Sequence, residues 1–157
     1  LECTLGSDEF NMRFSLYAYT YNAAFLEPDE QLYAVLNSDL RSRASGRFEI
    51  WKPYIYHLTA ALDKIPDAST TTVFKGMREL PSKWVVDGSH TLYFSGFSST
   101  STSEDVARAG FTAGGSGVVL KIKVFNAKDI QLYSWFRAEE QEFLLSPNMG
   151  FVVTSDG

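Results

Sequence analysis

Hydrophobic positions change their spacing once along this chain. Trp51, Tyr54, Ile55, Leu58, Ala61, Leu62 and Ile65 recur at the 3.6-residue period of an amphipathic helix. Pro66 stops that helix, and Pro53 is tolerable if it lies in the first turn. A shorter helix is expected upstream. Pro28 would take its first position, Asp29 and Glu30 would favour the positive end of the dipole, and Leu32, Val35, Leu36 and Leu40 would line one face. Before it, Phe10, Arg13, Phe14 and Tyr17 fit a helix while Phe14, Leu16 and Ala18 alternate; helix is the reading adopted.

Beyond Pro66 the period becomes that of strands. Thr70-Thr71-Thr72-Val73-Phe74 runs into Lys75-Gly76, and Leu92-Tyr93-Phe94 leads through Ser95-Gly96 to Phe97. Further strands are read at 118–124, 142–145 and 151–153. Ser103 with Glu104 and Asp105 opens a short helix carrying Val106, Ala107 and Ala109. Gly114-Gly115-Ser116-Gly117 reads as a mobile loop. Helices first and strands after is the α+β pattern. With no repeat and no linker, residues 1–157 read as a single domain, helical over about 1–66 and β-rich over about 67–157.

Composition narrows the function classes. The chain has 157 residues, 45% hydrophobic and 15% aromatic, enough to bury a core. It holds no apolar run of the length a membrane span needs, and no signal peptide is visible, so a soluble protein is expected. A net charge of −5 argues against a nucleic-acid partner. Cys3 is the sole cysteine, which favours an intracellular compartment and rules out an internal disulfide. His57 and His90 are the only histidines, too few for a typical catalytic metal, so no metal is expected. His57 reads as a packing or surface residue, and no histidine is placed to activate a serine as in a Ser-His-Asp hydrolase. Arg41, Arg43, Arg47 and Lys52 read as solvated or paired surface charge.

The unusual chemistry sits where Glu140-Gln141-Glu142 enters Phe143-Leu144-Leu145. In a strand, Glu140 and Glu142 would project from one face, where each raises the pKa of the other. Such a pair is either a solvated acidic edge, helped by Glu139, or two carboxylates with different tasks. Phe74-Lys75-Gly76 and Phe97-Ser98-Ser99-Thr100-Ser101 are the other two candidates. Alone, the first is a common turn and the second a hydroxyl-rich loop or cap.

In order and spacing, the three stretches resemble the arginine-type, or R-S-E class, mono-ADP-ribosyltransferases and toxins. In that class an aromatic-Arg-Gly motif, an aromatic-x-Ser-Thr-Ser motif and a Glu-x-Glu motif follow one another. The second and third are matched by Phe97 to Ser101 and by Glu140 to Glu142; the first departs, with Lys75 where arginine is expected. Upstream, Leu36-Asn37, Arg41-Ser42-Arg43 and Trp51-Lys52-Pro53 are similar to the helical lead-in of eukaryotic-type members. The resemblance implies a split β-sandwich of two small packed sheets behind an N-terminal helical part, with NAD as co-substrate bound in a cleft between the sheets. It implies that Glu142 stabilises the oxocarbenium ion, that Ser99 orients it, and that Glu140 faces an arginine acceptor. Lys75, Gly76, Ser99, Thr100, Ser101 and Arg108 would bind NAD, while Trp135 and Phe136, in the turn from Tyr133 to Ala138, would meet a protein acceptor. A monomeric domain is expected, delivered or part of a larger chain. Two alternatives stay open: a non-catalytic binding domain of the same fold, and an NAD glycohydrolase.

Overall fold

The computed structural model describes residues 6–43, 45–79, 91–111, 117–136 and 140–154. Cys3, His90, Gly114, Gly115, Ser116, Arg137, Ala138 and Glu139 lie outside the described residues. The first helix, α1 (Asp8–Thr20), is capped by Ser7, whose hydroxyl accepts the Phe10 N–H at 3.1 Å, with Asp8 and Glu9 in the first turn. It buries Leu16, Tyr19 and Thr20.

Helix α2 (Leu32–Ser42) begins later than the proline pattern predicts. Pro28, Asp29 and Glu30 form a turn ahead of it. The reason is tertiary: Gln31, 2% exposed, spends its amide on the preceding loop rather than on the helix end. Its Nε2 donates to the carbonyls of Ala23 and Leu26, both at 3.0 Å, and its Oε1 accepts the Ala23 N–H at 3.0 Å. Gln31 thus ties the end of α1 to the start of α2. Helix α3 (Ser45–Lys64) carries the long apolar stripe, but it starts early enough that Pro53 lies inside it rather than in the first turn. The bond that a Pro53 N–H would give to Glu49 is forgone, and packing of Leu58, Ala61 and Leu62 holds the helix together.

Seven strands follow among the described residues: β1 (Thr71–Met77), β2 (Thr91–Phe94), β3 (Ser98–Ser101), β4 (Val118–Val124), β5 (Lys128–Asp129), β6 (Glu142–Leu145) and β7 (Met149–Val152). Helix α4 (Glu104–Phe111) sits between β3 and β4, and Ser103 accepts the Val106 N–H at 3.3 Å as its cap. Two differences from the sequence reading stand out. The last strand is shifted to begin at Met149, where it pairs with Phe94, and the hydroxyl-rich run Ser98–Ser101 is itself a strand.

The strands form an antiparallel five-stranded sheet, β4-β1-β3-β6-β5, and a two-stranded sheet, β2-β7. Val73, Ile122, Val124 and Leu145 of the large sheet pack with Phe94, Met149 and Phe151 of the small one, so the two form a sandwich. On the opposite face Leu144 joins Leu16, Tyr19, Leu36, Leu58 and Leu62 of the helices. Alternation along β6 therefore divides it: Phe143 and Leu145 face the sandwich, while Glu142 shares the helical face with Leu144.

Gln31→Ala should destabilise the protein by about 2–4 kcal/mol, because it leaves the Ala23 and Leu26 backbone groups unpaired. The measurement is a urea unfolding series; a midpoint unchanged from the parent would show that the clamp contributes nothing.

Candidate active site

A cavity of about 670 Å³ opens where the two sheets diverge beneath α1 and α2. Each wall brings a polar group for a local reason. On α2, Tyr33, Asn37 and Arg41 are spaced at i, i+4 and i+8, so they form one stripe, and all three line the cavity. Strand β1 supplies Lys75, the β2–β3 connection Phe94 to Phe97, and β3 supplies Ser98 and Ser99. Phe136, Glu140 and Glu142 complete the far side.

Glu142 is the most constrained of these, at 4% exposure. Burial raises its pKa, and hydrogen bonds from Ser134 and Ser99 oppose that rise. The Ser134 hydroxyl donates to Oε2 at 2.7 Å. Behind Ser99 stands Tyr19, whose phenol oxygen accepts from Asn37 Nδ2 at 3.0 Å and interacts with Ser99. Burial pushes the Tyr19 phenol far above its ordinary range, so it stays neutral. Asn37 Oδ1 is the one buried side-chain polar atom without a hydrogen-bond partner among the described residues. It lies against Gly96, where a Cβ would collide with it, so Gly96 permits this approach.

Glu140 and Glu142 reach the same cavity, but not by strand alternation. Glu140 precedes β6, and Gln141 between them takes a left-handed conformation with φ 45°. Such a conformation costs a non-glycine residue about 1–3 kcal/mol, and β3 holds it. The Ser101 hydroxyl donates to the Glu140 carbonyl at 2.7 Å, and the Thr102 hydroxyl donates to Gln141 Oε1 at 2.9 Å.

Lys75 reaches across the split between the sheets. Its ammonium donates to the Ser99 carbonyl at 3.4 Å and lies 5.8 Å from the Phe94 ring centroid. Burial, followed by the charge of Arg41, lowers its pKa to about 8. The side chain keeps some exposure to the cleft, which moderates that effect.

The remaining candidates lie as follows. Gly76 is buried opposite Val119 and does not line the cavity. Thr100 donates to the Phe143 carbonyl at 2.8 Å, so with Ser101 it builds the β3–β6 junction rather than the cavity wall. Arg108 pairs with Glu104 at 2.6 Å on α4 and lies off the cavity wall. Phe136 lines the cavity; Trp135 instead stands beside it, edge-on to Tyr17 and Tyr21. His57 meets Tyr56 edge-on, away from the site. Of the basic patch, Arg47 pairs with Asp39 and Lys52 with Glu49, while Arg41 is exposed, as expected, and also lines the cavity. Sequence reasoning also missed Tyr19, Tyr33, Asn37 and Ser134. The polar stripe on α2 was a usable signal for Tyr33 and Asn37; Tyr19 and Ser134 offered none.

Among the described residues, the charged groups of the cavity thus come as two cations, Arg41 and Lys75, and two carboxylates, Glu140 and Glu142. That set suits a ligand carrying both signs. Because burial favours the neutral amine, Lys75 is charged below pH 8 and loses its charge above it. Affinity for inorganic pyrophosphate should therefore fall between pH 7 and pH 9, by up to about tenfold per pH unit above the midpoint. Lys75→Arg, charged throughout, should flatten the profile. Calorimetric titration at both pH values tests this, and a flat profile in the parent would refute it.

Comparison with known proteins gives a consistent picture. A family profile described as NAD:arginine ADP-ribosyltransferase matches residues 8–156. No curated protein matches significantly by sequence. Among solved structures, the eukaryotic mono-ADP-ribosyltransferase ART2.2 superposes with a TM-score of 0.75 at 22% identity, over 100% of this chain and 65% of that one. ART2.2 mutants have been solved with NADH and with NAD. HopU1, an ADP-ribosyltransferase of Pseudomonas syringae pv. Tomato, gives 0.68 at 21% identity, over 93% of this chain and 72% of that one. ADP-ribosyltransferase Vis, solved with agmatine, gives 0.62 at 19% identity, over 99% and 80%. At such identities the likeness is one of fold, and this chain spans a little under two thirds of the length of ART2.2.

Proposed function

The chain belongs to the NAD:arginine ADP-ribosyltransferase family, and we propose that it transfers ADP-ribose from NAD to a protein arginine, releasing nicotinamide. The observation that carries this reading is the two-signed cavity: Arg41 and Lys75 suit a pyrophosphate, while Glu140 and Glu142 suit positive charge. NAD brings both, an anionic pyrophosphate and a cationic pyridinium.

On this reading the bond between the nicotinamide nitrogen and ribose C1′ breaks, and its electron pair leaves with nicotinamide, which becomes neutral. Positive charge then develops on the ribose. Glu142 accepts a hydrogen bond from the ribose 2′-hydroxyl and stabilises that charge. Ser99, which already supports the Glu142 carboxylate, keeps it oriented. Asn37 Oδ1, the unpartnered acceptor, is suited to a ligand N–H or O–H. Glu140 receives the acceptor guanidinium, since a carboxylate matches its planar fork, and takes the proton lost when the nitrogen bonds to C1′. Agmatine, an arginine-like amine, occupies the structure of Vis, which supports an arginine acceptor here. Trp135, 44% exposed, and Phe136 stand beside Glu140 in sequence and offer the acceptor an aromatic surface.

Lys75 is the observation that keeps a second reading alive. A lysine charged only below about pH 8 holds a pyrophosphate less firmly than arginine would. A domain that binds NAD without turnover is the outcome if that loss is decisive.

Incubation with labelled NAD and agmatine, separating ADP-ribosyl-agmatine from free ADP-ribose, tests both readings. Glu142→Ala should lower both transfer and hydrolysis by about 10²–10³-fold. Glu140→Gln should lose transfer while keeping hydrolysis. Equal loss of both in Glu140→Gln would assign that residue to the NAD site. Binding without turnover in the parent, with turnover restored by Lys75→Arg, would favour the binding domain.

A further inference from the structure

Ser134 entered the sequence reading only as part of the turn from Tyr133 to Ala138, with no role of its own, and it does not line the cavity. It is 4% exposed, held behind Glu142 by the turn that follows β5. A serine hydroxyl has one proton, and here its destination is determined. The Phe136 N–H already donates to Ser134 Oγ at 3.2 Å. The acceptor at 2.7 Å is Glu142 Oε2, so the hydroxyl proton points at the carboxylate.

The turn that carries Ser134 is fastened on every side. Its own N–H donates to the Ile130 carbonyl at 2.9 Å, and the Ile130 N–H donates to the Glu142 carbonyl at 3.2 Å. The next residue, Trp135, donates its N–H to Thr20 Oγ1 at the end of α1 at 2.8 Å. Thr20 in turn bonds its own helix through the Tyr17 carbonyl at 3.1 Å. One turn therefore touches α1, the backbone of β6 and the Glu142 carboxylate at once.

We propose that Ser134 is a positioning residue for the reaction: its hydroxyl holds Glu142 ionised and fixes which carboxylate oxygen meets the substrate, and it ties that carboxylate to the turn bearing Trp135 and Phe136. The proposal rests on the transferase reading above, which it deepens. With Oε2 committed to a donor outside the cavity and Ser99 as the second hydroxyl on the carboxylate, the orientation that Glu142 presents to the ribose hydroxyl is set. Among the described residues, the charged and titratable groups that share the cavity with this carboxylate are Tyr19 of α1, Tyr33 and Arg41 of α2, Lys75 of β1, Tyr93 of β2, and Glu140. Tyr19 and Tyr33 are both raised above their ordinary range by burial, so neither supplies charge near neutrality. Burial drives Glu142 toward its neutral form; removing Ser134 removes one of the two hydroxyls that oppose this.

The test is the pH profile of NAD hydrolysis, measured without acceptor in the parent, Ser134→Ala and Ser134→Thr. The acidic limb reports the carboxylate that must be ionised. In Ser134→Ala that limb should move upward by about one pH unit, the scale of losing a hydrogen bond to a charged group. Activity should recover at higher pH, and Ser134→Thr should bring the limb back. A uniform loss at every pH in Ser134→Ala, or no change at all, would overturn the proposal. A second measurement follows the Glu142 carboxyl carbon by NMR in glutamate-labelled protein, with Glu142→Gln assigning the signal. It reads the same shift whether or not the parent turns over NAD. An inactive parent with a shifted Glu142 titration would count against the transferase reading while keeping the Ser134 link; an unshifted titration would refute the link itself.

Discussion

The structure depends on keeping one carboxylate out of water. Taken alone, a buried Glu142 would give up its charge, since desolvation of a carboxylate costs several kcal/mol even after relaxation. Hydroxyl donors oppose that, and they come from separate parts of the chain: Ser134 from the turn after β5, and Ser99 from β3. Tyr19 of α1 and Asn37 of α2 stand behind Ser99. The helices and the large sheet must therefore meet in the right register before the carboxylate is satisfied. Leu144, two residues beyond Glu142, anchors that meeting by entering the helical core.

Much of this was legible in the sequence because it is local. The 3.6-residue stripe in α3 and the β-branched run 118–124 follow from periodicity alone, and the strands at 71–77 and 142–145 follow nearly as closely. The motif likeness led to the cavity through Ser99, Glu140 and Glu142. What escaped is tertiary. The start of α2 is decided by Gln31 reaching back to Ala23, eight residues away, which overrides the proline signal. The β2–β7 pairing joins segments more than fifty residues apart and so left no local trace. Ser134 is one serine among many until its neighbour eight residues on is seen to be a buried glutamate.

The same distinction explains the serine-threonine run. Its hydroxyls were taken together as cofactor contacts, yet their hydrogen bonds divide their work. Ser99 faces the cavity, while Thr100 and Ser101 bond the chain on either side of Gln141. A strained residue between two glutamates persists only because the adjacent strand restrains it.

The two-signed cavity has a consequence in time as well as in affinity. On the transferase reading proposed above, an intact dinucleotide would be attracted through both of its charged parts, pyrophosphate by Arg41 and Lys75, pyridinium by the carboxylates. Cleavage alters only one of them. Nicotinamide emerges uncharged, so its attraction to Glu140 and Glu142 disappears, while the pyrophosphate keeps both cations. On that reading the cavity would impose a sequence of departures: the small neutral fragment would be free to leave first, and the sugar-phosphate would stay until its new bond is made.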